Sequence, residues 1–297
     1  MGRWRWRENG EAEVGPPPPL LSLFIRTPRA PAAAHSILSL SLSLDLPAHP
    51  SAGMVTADGP KFHEHKANGL VSDVFKDASV IRGLPGPVGL GHVRYPTAGT
   101  ASASEAQPFF VNSPLGIYLI HNGNLTNAAE LRGLLEGSRS FFNRHLRTQS
   151  DSEVLLNILA DEIHRAHQRC VAETPDVDPN TRKMEFVLEA GATAMALLKG
   201  AYSCVCLVKG VGLVAFRDPF GIRPLVLGRR DSADGSGGDE WCVASEDCAF
   251  GPIGFERVRD VAPGEMVVVD EATGKLTAHQ CAPPAGEGGS ATPCIFE

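Results

Sequence analysis

No stretch of this 297-residue chain approaches the roughly 20 consecutive apolar residues that a membrane-spanning helix needs. The longest candidates, LLSLFI and SILSLSLSLDLP, are short, and Arg26 or Asp45 interrupts them. A basic excess is missing too: 27 lysines and arginines face 34 aspartates and glutamates, a formal charge of −7. That balance provides no broad positive surface, which argues against nucleic acid or an anionic membrane as main partner and leaves a small polar substrate as the default. The seven cysteines, at 170, 204, 206, 242, 248, 281 and 294, show no Cys-x-x-Cys spacing. Neither a paired-cysteine motif nor a secreted disulfide scaffold is indicated, and reduced thiols in a cytosol-like compartment fit best. Cys204 and Cys206 lie in AYSCVCLV, where a period of two puts both on one strand face, so buried packing is a better reading than metal ligation.

What the chain does have is material for a core. Hydrophobic residues make up 43% of it, enough for one large domain or two small ones. Composition breaks near residue 50. Residues 1–50 hold a Trp/Arg alternation (RWRWR), a tetraproline, a Pro/Ala tract and a Ser/Leu repeat, with no period long enough to build a core, and they read as a disordered leader. The arginines and serines would suit a transit peptide, but Glu8, Glu11, Glu13 and Asp45 would not; an unrelated leader joined by alternative splicing or a faulty gene model is the plainer reading. RWRWR is too short to anchor the chain on a membrane surface by itself.

Residues 51–297 read as one folded domain. Short apolar runs punctuated by turn residues, such as GMVTADGPKFHEH, VGLGHVRY and FFVNSPLGIYLIHNG, predict antiparallel strands and hairpins. Helices are predicted at NAAELRGLLEG, with Asn127 as N-cap, at SDSEVLLNILADEIHRAH, opened by a Ser150–Glu153 capping box, and over 184–198. Strands return at AYSCVCLV, GLVAF, RPLVLG, EWCVAS and EMVVVD, with a flexible insertion at DSADGSGGD. Strands, then helices, then strands favour a layered α+β domain over a doubly wound one.

Three segments carry the chemistry: GHVRYPTAG at 91–99, HNGNLTN at 121–127 and SDSE at 150–153. Singly, each has an ordinary explanation. Arg94 could be a surface ion-pair residue, Asn122-Gly123 a tight turn, and Asp151 an acid suited to the positive end of a helix. Together and in this order they resemble the amidotransferases that use an N-terminal nucleophile. With SEAQPF, RDPFGIRPLVLGRR and VASED added, the resemblance is to the amidophosphoribosyltransferase family, over nearly all of residues 51–297.

That resemblance implies a four-layer αββα sandwich of the N-terminal-nucleophile hydrolase type, with two antiparallel sheets between helices. It implies that Arg94 holds the α-carboxylate of glutamine with its planar fork and that Asp151 takes the α-ammonium, with Thr97 a further substrate contact. Asn122, through its side-chain amide, and Gly123, through its backbone N–H, would form the oxyanion hole. For the complete enzyme it implies glutamine hydrolysis and transfer of ammonia to phosphoribosyl pyrophosphate, giving phosphoribosylamine, glutamate and pyrophosphate in purine synthesis.

The family nucleophile is a cysteine at the start of the mature chain, whose own α-amine serves as base. This sequence has no cysteine before Cys170, and exposing Cys170 would discard Arg94, Asn122, Gly123 and Asp151. Ser51 as a substitute nucleophile is disfavoured, because in the matched pattern it lies inside the domain. The expectation is therefore a glutaminase domain without its opening segment or its phosphoribosyltransferase domain, and inactive; the alternative is a non-catalytic glutamine-binding or regulatory isoform that pairs with full-length subunits. No cofactor is expected in this chain. The complete enzyme would use Mg2+ and, in some members, a 4Fe-4S cluster, to which Cys294 would contribute one ligand. The expected location is the cytoplasm, with a plastid as the alternative.

Overall fold

The computed structural model describes residues 22–26, 32–43, 51–94, 103–137, 144–232 and 239–285. In chain order they form β1 (Ser22–Arg26), α1 (Ala32–Ser43), β2 (Ser51–Asp58), β3 (Lys61–Asn68), α2 (Val71–Val74), α3 (Ala78–Arg82), β4 (Val88–Arg94), β5 (Phe109–Val111), β6 (Ile117–Leu125) and α4 (Ala128–Glu136). Then follow α5 (Asp151–Glu173), α6 (Lys183–Leu197), β7 (Gly200–Val208), β8 (Gly212–Arg217), β9 (Val226–Asp231), β10 (Asp239–Ala244), β11 (Glu256–Asp260), β12 (Glu265–Asp270) and β13 (Leu276–Gln280).

The strands make two antiparallel sheets, a seven-stranded one in the order β11-β9-β10-β1-β4-β2-β3 and a six-stranded one in the order β13-β12-β8-β7-β6-β5. Side-chain alternation assigns the faces. Along β7, Tyr202, Cys204 and Cys206 pack on the helical side with residues of α5 and α6, whereas Val205 and Leu207 face the other sheet. Val55, Leu90, Tyr118, Ile120, Leu227 and Val243 share that inter-sheet core. A third core lies under the short helices, where Ala34, Ile37, Val71 and Ile81 pack against Met54, Val93, Cys242 and Ala244. The result is the predicted four-layer αββα sandwich. Both faces of each sheet are covered, which is why β7 and β12 read as continuous apolar runs despite being antiparallel.

The leader requires a correction. Its segment 22–26 is the central strand of the seven-stranded sheet, pairing Ser22–Arg26 with His92–Val88 on one side and Leu23–Arg26 with Ala244–Trp241 on the other. Its segment 32–43 is a helix that buries Ala33, Ala34 and Ile37. The helix seats on β4 because that strand presents glycine: a Cβ at Gly91 would fall 2.2 Å from Ile37 Cγ2, and one at Gly89 2.9 Å from Ile37 Cδ1. A composition-based reading misses this, since the complementary surface lies some fifty positions downstream. The rest of residues 1–50, and the insertion at 233–238, lie outside the described residues.

Two caps also differ from expectation. Ser150 Oγ accepts from the Ser152 N–H at 3.3 Å, but Glu153 reaches beyond the box to accept from the N–H groups of Arg147 (2.8 Å) and Thr148 (2.7 Å). Asn127 precedes α4 without capping it. Its amide instead donates to Leu197 O at 3.0 Å and accepts from the Lys199 N–H at 3.1 Å, tying the start of α4 to the end of α6. The unforeseen strands β11 and β13 are both sheet edges, where exposed polar residues hide the strand pattern.

If α1 is seated in the glycine groove, Gly91→Ala should destabilise the protein by about 1–3 kcal/mol through overpacking. Adding Ile37→Ala should then cost less than the sum of the two single changes. Urea unfolding of the four proteins measures this, and strictly additive costs would mean that the helix does not contact β4.

Candidate functional site

The polar side chains cluster where the strands end. On β6, Tyr118 and Ile120 face the other sheet, so Asn122 does as well, and it is 1% exposed. Asn122 and Gly123 pair with Ser203 and Tyr202 of β7, so they belong to a strand and not to a turn. Gly123 has φ 143°, and a Cβ there would lie 2.0 Å from Ala201 O; only glycine fits this backbone.

Asp151 opens α5 beside the same strand end. Its Oδ2 accepts from the Leu125 N–H at 2.9 Å, and its Oδ1 lies 3.9 Å from His121 Nδ1. A carboxylate in the first helical turn is favoured there by the partial positive charge of the helix N-terminus.

Arg94 is the last residue of β4. Its Nη1 donates to Glu105 Oε2 at 3.0 Å and to Glu105 O at 3.3 Å, with side chains only 17% and 5% exposed. Two residues further on, Gln107 brackets the His121 backbone, donating to His121 O at 3.1 Å and accepting from its N–H at 2.7 Å. His121 Nδ1 in turn lies 2.9 Å from Ser152 Oγ. Arg94 is thus linked to the first turn of α5 through Glu105, Gln107 and His121, and the structure brings Arg94, Asn122, Gly123 and Asp151 to one end of the sandwich. Thr97 and Cys294 lie outside the described residues. Ser51, on β2, pairs with Arg94 and is buried within the sheet.

Burial sets the charge states. His92, on the inter-sheet face of β4, is pushed down to about 3 by desolvation, with His121 and Arg94 adding repulsion. His121 is also lowered by burial, against the pull of Asp151 and with the help of Arg223. Both rings are neutral near pH 7, so the 3.9 Å approach of His121 to Asp151 is not an ion pair.

The RDPFGIR segment carries no role legible in the sequence, and the structure supplies one. Asp218 is fully buried and accepts from the N–H groups of Tyr202 (3.2 Å), Phe220 (3.0 Å), Ile222 (3.2 Å) and Arg223 (3.3 Å). Arg217 donates to the carbonyls of Arg223 (2.6 Å), Gly221 (2.7 Å) and Val261 (3.0 Å). Between them they fix the loop that carries Arg223, whose Nη2 donates to Asn122 Oδ1 at 2.6 Å. An Arg-Asp pair directly after an apolar strand, followed by Pro and Gly, was the available signal.

No described thiol is poised for attack. Cys204, Cys206 and Cys242 are fully buried and raised by desolvation, Cys281 is pushed up to about 11 by burial, and the exposed Cys248 is raised as well. Cys170 lies about 28 Å along α5 from Asp151 at 1.5 Å per residue. Among the described residues, no group of three His, Cys, Asp or Glu side chains is arranged to hold a metal ion, and no helix is long and apolar enough to cross a membrane.

Comparison with known proteins identifies the class. Residues 92–251 match the family model described as the glutamine amidotransferase domain, and the chain belongs to that family. Within it, the similarity is to amidophosphoribosyltransferases: 49% identity over 250 residues to the enzyme of Escherichia coli (strain K12), 48% over 249 to that of Pasteurella multocida (strain Pm70), and 39% over 251 to that of Schizosaccharomyces pombe. These alignments cover 83–84% of this chain but 44–45% of each relative, so the chain spans less than half the length of the relatives it matches. The structure is similar to a glutamine phosphoribosylpyrophosphate amidotransferase from B. subtilis complexed with ADP and GMP (TM-score 0.67, 25% identity, 89% of this chain and 49% of that one). It is also similar to a structure described as the allosteric regulatory enzyme of purine biosynthesis (TM-score 0.68, 27% identity). The fold is that of the N-terminal-nucleophile hydrolases.

His92 gives the site a pH signature. Its folded-state value lies below the unfolded one, so the unfolded chain binds the extra proton, and stability present above about pH 6.5 is lost as pH falls toward 3. In urea unfolding from pH 7 to 4, His92→Gln should reduce the acid-side slope by up to about 1.4 kcal/mol per pH unit. An unchanged slope would mean that His92 is not held neutral in the folded protein.

Proposed function

We propose that the chain binds glutamine at the Arg94–Asn122–Asp151 end of the sandwich, as the glutaminase domain of an amidophosphoribosyltransferase, and that it does so without hydrolysing it. The observation that carries the reading is the union of Asn122, Gly123 and Asp151 at the end of β6, locked by the hydrogen bond from Leu125 N–H to the Asp151 carboxylate. Asp151 would receive the α-ammonium. Arg94 would receive the α-carboxylate, since a guanidinium has five N–H donors and can serve Glu105 and a substrate carboxylate together. The glutamine side chain would then run toward Asn122 and Gly123, whose donors suit an amide oxygen.

Hydrolysis needs an activated nucleophile beside that oxygen, and the described thiols are buried, raised or remote. The remaining function is recognition of glutamine, alone or alongside complete subunits of the same family. In the complete enzyme, ammonia released here would go on to phosphoribosyl pyrophosphate. The described cysteines are free, which suits a cytosolic location.

Calorimetric titration of the purified chain with glutamine, paired with an assay for released glutamate, tests both halves. Binding without glutamate is expected. Arg94→Met and Asp151→Asn should each weaken binding about tenfold or more, as loss of a charge-assisted hydrogen bond does. Absence of binding would refute the glutamine site, and glutamate release would refute the inactivity.

A further inference from the structure

We infer that Arg223 is the positioning residue that fixes which end of the Asn122 amide faces the glutamine oxygen. This rests on the glutamine reading above and goes beyond it. A side-chain amide has two nearly isosteric ends, an NH2 that would stabilise a developing oxyanion and a C=O that would repel it. A half-turn about the last torsion exchanges them. In an oxyanion site this choice decides whether the residue helps or hinders.

Arg223 settles the choice because a guanidinium carries donors and no acceptor. Its Nη2 lies 2.6 Å from Asn122 Oδ1. With the amide turned over, two donors would meet at that distance with no lone pair between them. The constraint therefore follows from the chemistry of the pair, since a guanidinium can only donate. Asn122 is buried and cannot recover the lost bond from bulk water.

The lock is only as good as the placement of Arg223, and that placement is fixed from both sides. Its N–H donates to Asp218 Oδ2 at 3.3 Å, and its carbonyl accepts from Arg217 Nε at 2.6 Å. Arg217 and Asp218 are 5% and 0% exposed. Asp218 also holds the N–H of Tyr202, the residue paired with Gly123. One carboxylate thus sets both the loop bearing Arg223 and the strand beside Asn122. The guanidinium adds a positive charge behind the amide, which polarises its NH2 end toward a substrate oxygen.

The test compares wild type, Arg223→Met and Arg223→Lys by calorimetric titration with L-glutamine and with L-norvaline, which keeps the α-groups but replaces the carboxamide by an apolar tail. Loss of an oriented donor should lower glutamine affinity about tenfold in Arg223→Met and leave norvaline affinity unchanged. Arg223→Lys, which keeps a donor, should recover part of the loss. If both amino acids weaken together, Arg223 only supports the loop and the inference is wrong; an unchanged glutamine affinity also overturns it. Should the wild type bind neither amino acid, the glutamine reading fails, and the side-chain amide NMR signal of Asn122, assigned by its loss in Asn122→Asp, decides the positioning alone. Slowly exchanging amide protons that become fast in Arg223→Met support it, and protons that do not change refute it. Should Arg223→Met fail to fold, Arg223→Lys is read in the same way: a smaller loss confined to glutamine supports the inference, and a parallel loss or none overturns it.

Discussion

Two sheets stacked face to face leave no water between them, so a polar side chain on an inner face must stand at a strand end or find a partner. That constraint builds the candidate site. His92 and Arg94 close β4, Asn122 and Gly123 lie near the end of β6, and Arg217 closes β8, all at one edge of an otherwise apolar slab. Each charged or amide group there has been drawn into a contact: Arg94 with Glu105, Asn122 with Arg223, Arg217 with three carbonyls. The histidines meet the same demand differently, by staying neutral.

Much of this was legible in the sequence. Alternating and continuous apolar runs located β7, β8, β9, β10 and β12 and helices α4, α5 and α6, because burial on both faces leaves a strong mark. Arg94, Asn122, Gly123 and Asp151 stood out because their strings recur together. What could not be read was the wiring between distant segments. Nothing local shows that Glu105 will occupy the fork of Arg94, that Gln107 will bracket His121, or that Arg223 will reach back 101 positions to Asn122. Polarity misled in the other direction at Asn127 and Glu153, whose side chains serve neighbouring segments instead of the expected caps.

The leader shows the largest gap between composition and structure. Ala33, Ala34 and Ile37 form a small apolar patch that fits against β4 because that strand offers two glycines. A small patch against a groove is a matter of shape, and shape complementarity between remote segments leaves no periodic trace. The consequence for the proposed site is direct. With β1 in place, the seven-stranded sheet is continuous across the strand that carries Arg94, and the fork keeps a rigid support.

The position of β1 also bears on how the chain is made. Its neighbour β10 lies more than two hundred residues away, and β4 more than sixty. On a ribosome, β1 leaves the exit tunnel ahead of both strands it pairs with: at about 5–20 residues per second, some ten to forty seconds separate its emergence from that of β10. During that interval its backbone groups have an incomplete set of partners, and the seven-stranded sheet can close only after β10 and β11 have emerged. The joint between β1 and β10 is therefore the strand pairing of longest sequence separation in the sandwich, which makes it the step at which a nascent-chain binder would compete.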